Sequence, residues 1–392
     1  MPLPIPSGRS APPGSPSRLG RPRPGGMFDP GATGPGISQR EQNFLDGALD
    51  PDTGWPFVFL DHFTPRPERV ERFWVVDTRE CPQEMGTDPW PRLRVRHFDA
   101  QGDLVETDPA IMFSQAAGSP VLIQVQGSLT TPDIALGGLL WTHSWLERHR
   151  AILPGTVVIA FDWPSQRVYP NDMRDINEKG RRAYIAGYHL ARFVQAFPPQ
   201  SRICLLGQSY GGRVVPSAVH LLGGGRLNSQ DHDPEVGLPT LRPDLFIHAV
   251  VLAGASDHTW LNPCARLDRA LLGCQAFLNL YNRRDEALRF YPLLRRSDHH
   301  HALGKVGLTN HDLGKLGPMA ARYSEHDLHE LLGSEHSLLD AVANPQVARW
   351  IAPYVWAPDP GPSEPWDNTE RRLDSRGNRL LRGAFRWRGS SN

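Results

Sequence analysis

The sequence predicts a mostly parallel α/β sheet, covered by helices on both faces and led in by an antiparallel hairpin. Three observations predict it. Short, almost wholly apolar runs alternate with longer helical stretches from about residue 120 onward, the pattern of strands buried on both faces. Ahead of them, an alternating polar–apolar run is broken by Asp99-Ala100-Gln101-Gly102-Asp103 and then resumes, which is a hairpin signal. Between them stands Gly207-Gln208-Ser209-Tyr210-Gly211, with Arg202-Ile203-Cys204-Leu205-Leu206 before it and a helical stretch after it. Strand, G-x-S-x-G and helix in that order describe a turn so sharp that small residues must flank the serine.

Taken in order, Phe73-Trp74-Val75-Val76-Asp77-Thr78 reads as a first strand, and Arg92–Phe98 with Leu104-Val105-Glu106 as the hairpin. Val121–Val125 is a strand, 133–150 a helix, Thr156–Phe161 a strand and 173–197 a long helix, with Tyr184, Tyr188, Leu190 and Phe193 at helical spacing. The strand before Ser209 is followed by a helix from Gly212 that carries Pro216 in an early turn. Phe246–Leu252 and Phe277–Tyr281 are further strands, and 344–355 is a closing helix after Asn344-Pro345. Residues 224–243 read as a polar surface insertion.

The ends have a different character. Ten prolines and eight glycines fall within residues 1–36, too few apolar groups to offset the entropy of ordering. A disordered leader is therefore expected over 1–40, with Met27 as an alternative start, and the main domain over 41–357. The leader carries arginines but no continuous apolar segment of a secretory signal. From 371 to 388 the tail holds seven arginines against one acid, and 358–392 is expected to be a flexible arm.

Composition narrows the function. Lys+Arg and Asp+Glu both total 42 in 392 residues, so no net charge calls for nucleic acid. No run reaches the roughly 18 apolar residues of a spanning helix. Cys81, Cys204, Cys264 and Cys274 contain no C-x-x-C pair, which suits reduced thiols in a cytoplasmic protein. Asp298-His299-His300-His301 lacks metal-ligand spacing and reads as a polar loop. Gly223-Gly224-Gly225 lacks the context of a phosphate loop, so neither a metal nor a nucleotide cofactor is expected.

Over roughly 70–356 the chain resembles the α/β-hydrolase superfamily, and within it bacterial serine-esterase-like members. Beyond the G-x-S-x-G turn, the resemblance is carried by Phe161-Asp162-Trp163-Pro164-Ser165, by Asn279-Leu280-Tyr281-Asn282-Arg283-Arg284-Asp285, by Ala302–Leu308, and by His336-Ser337-Leu338-Leu339 with Asn344-Pro345-Gln346-Val347. It implies a triad in the chain order serine, acid, histidine. A serine hydroxyl needs a neighbouring base to become nucleophilic, and a carboxylate to orient that base. Ser209, Asp285 and His336 satisfy the order. Asp257, beyond the strand 246–252, is the alternative acid, and His311, His326 and His329 are alternative bases. The oxyanion donors would be the main chain of Tyr210 and of the Gln126-Gly127-Ser128 loop, with Ser128 or Leu129 donating. Relatives often carry His-Gly where this chain has Gln126-Gly127. Trp163, at a strand's C-terminal end, is expected to line the substrate pocket.

The implied activity is hydrolysis of a small-molecule carboxylic ester through an acyl-enzyme. Thioesterase, peptidase or acyltransferase chemistry on the same triad, and a non-catalytic binding or scaffold role, are the alternatives.

Overall fold

The computed structural model of the chain describes residues 71–99, 102–128, 130–230, 232–294 and 300–356. The expected leader over 1–40 and arginine-rich arm over 358–392 lie outside the described residues, as do Leu129, Asp298 and His299.

Nine strands form one sheet in the order β3-β2-β1-β5-β4-β6-β7-β8-β9. They are β1 (Phe73–Asp77), β2 (Arg94–Phe98), β3 (Leu104–Glu106), β4 (Pro120–Val125), β5 (Val157–Asp162), β6 (Arg202–Gln208), β7 (Phe246–Leu252), β8 (Ala276–Tyr281) and β9 (Tyr323–Asp327). β2 runs antiparallel to β1 and to β3. Every pairing from β1–β5 across to β8–β9 is parallel. The result is a mainly parallel α/β sheet with an antiparallel entry. The central strands are mainly apolar because both of their faces are buried, as Val121, Leu122, Ile123, Ile203, Cys204 and Leu205 are.

The main helices are α1 (Pro109–Ala116), α2 (Pro132–Arg148), α3 (Asp172–Val194) and α4 (Gly211–Leu222). Right-handed crossovers decide their sides. The chain steps from β4 to β5 through α2 in one direction and from β5 to β6 through α3 in the other, so α2 and α3 cover opposite faces. α4 continues in the direction of α3 and packs beside it. Short helices complete the C-terminal part: α5 (Tyr291–Leu294), α6 (Leu303–Val306), α7 (Asn310–Leu316), α8 (His329–Leu332), α9 (Leu338–Val342) and α10 (Pro345–Ile351). Here α9 packs against α2.

Two features go beyond the strand and loop pattern of the sequence. β9 had no apolar signature, since Tyr323-Ser324-Glu325-His326-Asp327 is polar and forms the sheet edge, paired on one side only. Within the segment 224–243, Leu227 is buried and bridges Val236, and Arg266 bonds the Asn228 carbonyl.

The switch in connection direction lies between β4 and β6, the position at which open α/β sheets form a crevice beyond the strands' C-terminal ends. The loop after β4 begins at Gln126, and the turn after β6 carries Ser209. Topology alone brings these two segments together.

Candidate active site

Ser209 stands between β6 and α4 with φ at +54°, in the left-handed region that a side chain rarely adopts. Two glycines permit the turn. A Cβ on Gly207 would lie 2.2 Å from the Gly211 carbonyl oxygen, and one on Gly211 would lie 2.2 Å from that of Val125. Main-chain bonds fix the bend from the next strand, because Ser209 donates to the Leu252 carbonyl at 3.0 Å and accepts from the Ala255 N–H at 2.9 Å. The serine is 8% exposed.

Asp285 follows β8 and is fully buried. Its Oδ2 lies 2.6 Å from His336 Nδ1, and its Oδ1 accepts the Leu288 N–H at 2.9 Å. The histidine segment is anchored from two sides. Gln208, the neighbour of Ser209, donates through Nε2 to the His336 carbonyl at 3.1 Å. Asn282, just beyond β8, donates its side-chain amide to the carbonyls of Gly333 at 3.1 Å and Glu335 at 2.9 Å. The fold therefore joins Asp285 to His336 directly and ties His336 to the Ser209 turn through Gln208.

The remaining histidines considered from sequence sit elsewhere. His326 lies on β9, stacked at 4.1 Å on Trp350. His329 is 3.2 Å from Asp327, and His311 is exposed on α7. Asp257, the alternative acid, is buried, accepts the Tyr291 hydroxyl at 2.7 Å and is 3.8 Å from His300 Nδ1.

The Gln126-Gly127-Ser128 loop presses against the serine. A Cβ on Gly127 would meet Ser209 Cβ at 3.0 Å and the Gln208 side-chain oxygen at 2.5 Å. Two contacts hold the loop. Gln126 Nε2 donates to Asp162 Oδ1 at 2.7 Å, and the Trp163 indole donates to the Gln126 carbonyl at 2.9 Å. Asp162 is itself gripped by Arg79, with Nε to Oδ2 and Nη2 to Oδ1 both at 2.7 Å. Burial pushes the Asp162 carboxyl above its ordinary range, and the Arg79 pair pulls the other way. Trp163 was expected to line a pocket; it has no exposed surface and instead braces this loop. Tyr210 directs its hydroxyl to the Ile176 carbonyl at 3.1 Å, which leaves its main chain at the start of α4 beside Ser209.

Three residues that bond segments around Ser209 and His336 take their role from no motif of the sequence: Gln208, Asn282 and Arg213. Gln208 was legible only as the variable position of a motif. Arg213 lies one turn into α4, 8% exposed, and donates from Nε to the Ala255 carbonyl at 2.7 Å. An arginine on an otherwise apolar helix face was its one signal in the sequence.

No family model matches the chain, and no curated protein does. Among solved structures, it is similar to a C6-C4 SN3 inhibited esterase B from Lactobacillus rhamnosis, at 11% identity and a TM-score of 0.32, over 70% of this chain and 82% of that one. The esterase B structure from Lactobacillus rhamnosis (HN001) gives 11% identity and a TM-score of 0.31, over 72% of this chain and 86% of that one.

Proposed function

We propose that this chain is a serine hydrolase that cleaves carboxylic esters through an acyl-enzyme. Ser209 attacks the ester carbonyl while His336 takes its proton. His336 then returns that proton to the leaving alcohol, and water repeats the sequence to release the acid. Asp285 holds the imidazole through Nδ1, leaving Nε2 for the proton transfers. The main-chain N–H groups of Tyr210 and Ser128 face the oxyanion, which is the position where such donors contribute most.

The observation that carries this reading is the link from Asp285 to His336 to Gln208, which ties an oriented imidazole to the residue preceding a left-handed serine. A thioester would suit the same residues, since the triad does not choose the leaving group.

A fluorophosphonate probe tests the reading. The folded wild type should be labelled on one residue, and Ser209→Ala should remove the label. His336→Ala and Asp285→Ala should slow 4-nitrophenyl butyrate hydrolysis by about 10³-fold or more. Absence of labelling in folded wild-type protein removes the proposal.

A further inference from the structure

A cavity of about 520 Å³ opens beside the Ser209 turn, between α3 and α4, and Tyr210 and Arg213 form part of its wall. Among the described residues, Arg174, Arg181, Arg213 and Arg266 line it, with Glu178 as the one carboxylate of its wall and Asp233 acting on Arg181 from nearby. Glu178 is already taken up by Arg181 at 2.8 Å and Arg182 at 2.8 Å.

Arg213 is the most telling of these groups. A buried guanidinium ordinarily has a carboxylate partner, because desolvating an unpaired charge is expensive. Arg213 makes no ion pair among the described residues. It donates from Nη2 to the Tyr291 hydroxyl at 3.1 Å, and that hydroxyl passes its own proton on to Asp257 at 2.7 Å. The Asp257 carboxylate is thus held one tyrosine away. Its guanidinium carbon lies over the rings of Tyr210 at 5.0 Å, Trp260 at 5.2 Å and Tyr184 at 5.6 Å, contacts that stabilise a cation without neutralising it. Burial favours the neutral form, yet the surrounding tyrosines and Asp257 outweigh it and hold the pKa above its ordinary value.

The remaining edge of the fork is the one left for a ligand. Arg213 Nη1 forms no hydrogen bond with a described residue and sits against Gly180 in the cavity wall, where a Cβ would come within 2.6 Å of it. Across the cavity, Arg266 lies over Tyr184 at 4.3 Å and is steadied by the Asn228 carbonyl and side-chain oxygens, both at 2.9 Å. The route from this cation to the reacting centre is short: Arg213 Nε bonds the Ala255 carbonyl, and the Ala255 N–H bonds the Ser209 carbonyl.

We infer that the cavity binds an oxyanion carried by the substrate, so that the chain acts on esters whose acyl or alcohol part bears a carboxylate or phosphate group. This rests on the serine-hydrolase reading, which it deepens by naming the substrate class. Planar arginine forks match both anions.

Two measurements test it together. The first compares kcat/KM for 4-nitrophenyl hydrogen glutarate and for neutral 4-nitrophenyl butyrate. The anionic half-ester should be favoured at least about tenfold, and Arg266→Gln should cut that ratio by about tenfold to hundredfold. Arg174→Gln, an exposed position at the cavity rim, should cut it to a smaller degree. The second measurement titrates glutarate and inorganic phosphate calorimetrically into Ser209→Ala protein, with and without Arg266→Gln. Tighter binding of glutarate identifies a carboxylate substrate and tighter binding of phosphate a phosphorylated one, and either should weaken with Arg266→Gln. Neutral ester cleaved as well as the half-ester overturns the inference, as does failure of both anions to bind. Anion binding without cleavage of either ester, and without fluorophosphonate labelling, supports the anion site and removes the hydrolase reading alone.

Discussion

Ser209 keeps a backbone angle that ordinary side chains avoid, and the cost of that angle can be measured separately from chemistry. A left-handed non-glycine residue is destabilised by about 1–2 kcal/mol. Ser209→Gly should therefore be more stable than Ser209→Ala by about 1 kcal/mol in urea unfolding, although both lose the hydroxyl. Equal stability would show that the turn is unstrained. Gly127 gives the complementary test. Gly127→Ala places a methyl against the Gln208 side-chain oxygen and Ser209 Cβ, so either the loop or Gln208 must retreat. Ester turnover should fall by about tenfold to a thousandfold if the loop's N–H groups hold the oxyanion, with a circular dichroism spectrum like that of wild type.

At the scale of elements, the histidine segment depends on Asn282, at the end of β8, which satisfies the carbonyls of Gly333 and Glu335. Asn282→Ala leaves two partly buried acceptors unmet and frees the segment. Stability should drop by about 1–3 kcal/mol, and kcat should fall with little change in KM, because orientation of the base is lost rather than substrate contact. A rise in KM alone would place Asn282 in binding instead.

The same region marks the limit of what sequence made legible. β4, β5, β6, β7 and β8 announce themselves as short apolar runs because both of their faces are covered. β9 does not: it is polar at the sheet edge, and only its pairing with β8 reveals it. α1 escaped notice as well, since its eight residues open on a proline and carry no strong periodicity. In the candidate site, Ser209, Asp285 and His336 were readable from motif and order. Gln208, Asn282 and Arg213 were not, because their value lies in contacts spanning 128, 51 and 42 positions of the chain. Trp163 is ambiguous in sequence for the same reason: a strand-end tryptophan can face a ligand or brace a loop, and only three dimensions distinguish them.

For the molecule as a whole, buried histidines set the response to acid. His189 on α3 is almost wholly buried, its Nε2 makes no hydrogen bond among the described residues, and burial lowers its pKa from 6.5 to about 4. Burial also lowers the values of His149, His220 and His248. With the folded value below the unfolded one, the unfolded chain takes up protons first as pH falls. The stability of neutral burial is complete above the unfolded pKa of 6.5 and is lost progressively down to about 4. His189 alone should account for about 2 kcal/mol of loss at about pH 5. Urea unfolding at about pH 7.5 and pH 5 should show that His189→Leu reduces the acid-induced loss by about that amount; an unchanged loss would place the titrating groups elsewhere.

The 128 positions between Gln208 and His336 also have a meaning in time. At a translation rate of roughly 5–20 residues per second, the elbow leaves the ribosome about 6–25 seconds ahead of the histidine whose carbonyl Gln208 holds. The nascent polypeptide thus carries the Ser209 hydroxyl for that interval without His336. If Ser209 and His336 act as proposed, reactivity is conferred only when the final segment of the sheet docks, and a chain released early is inert.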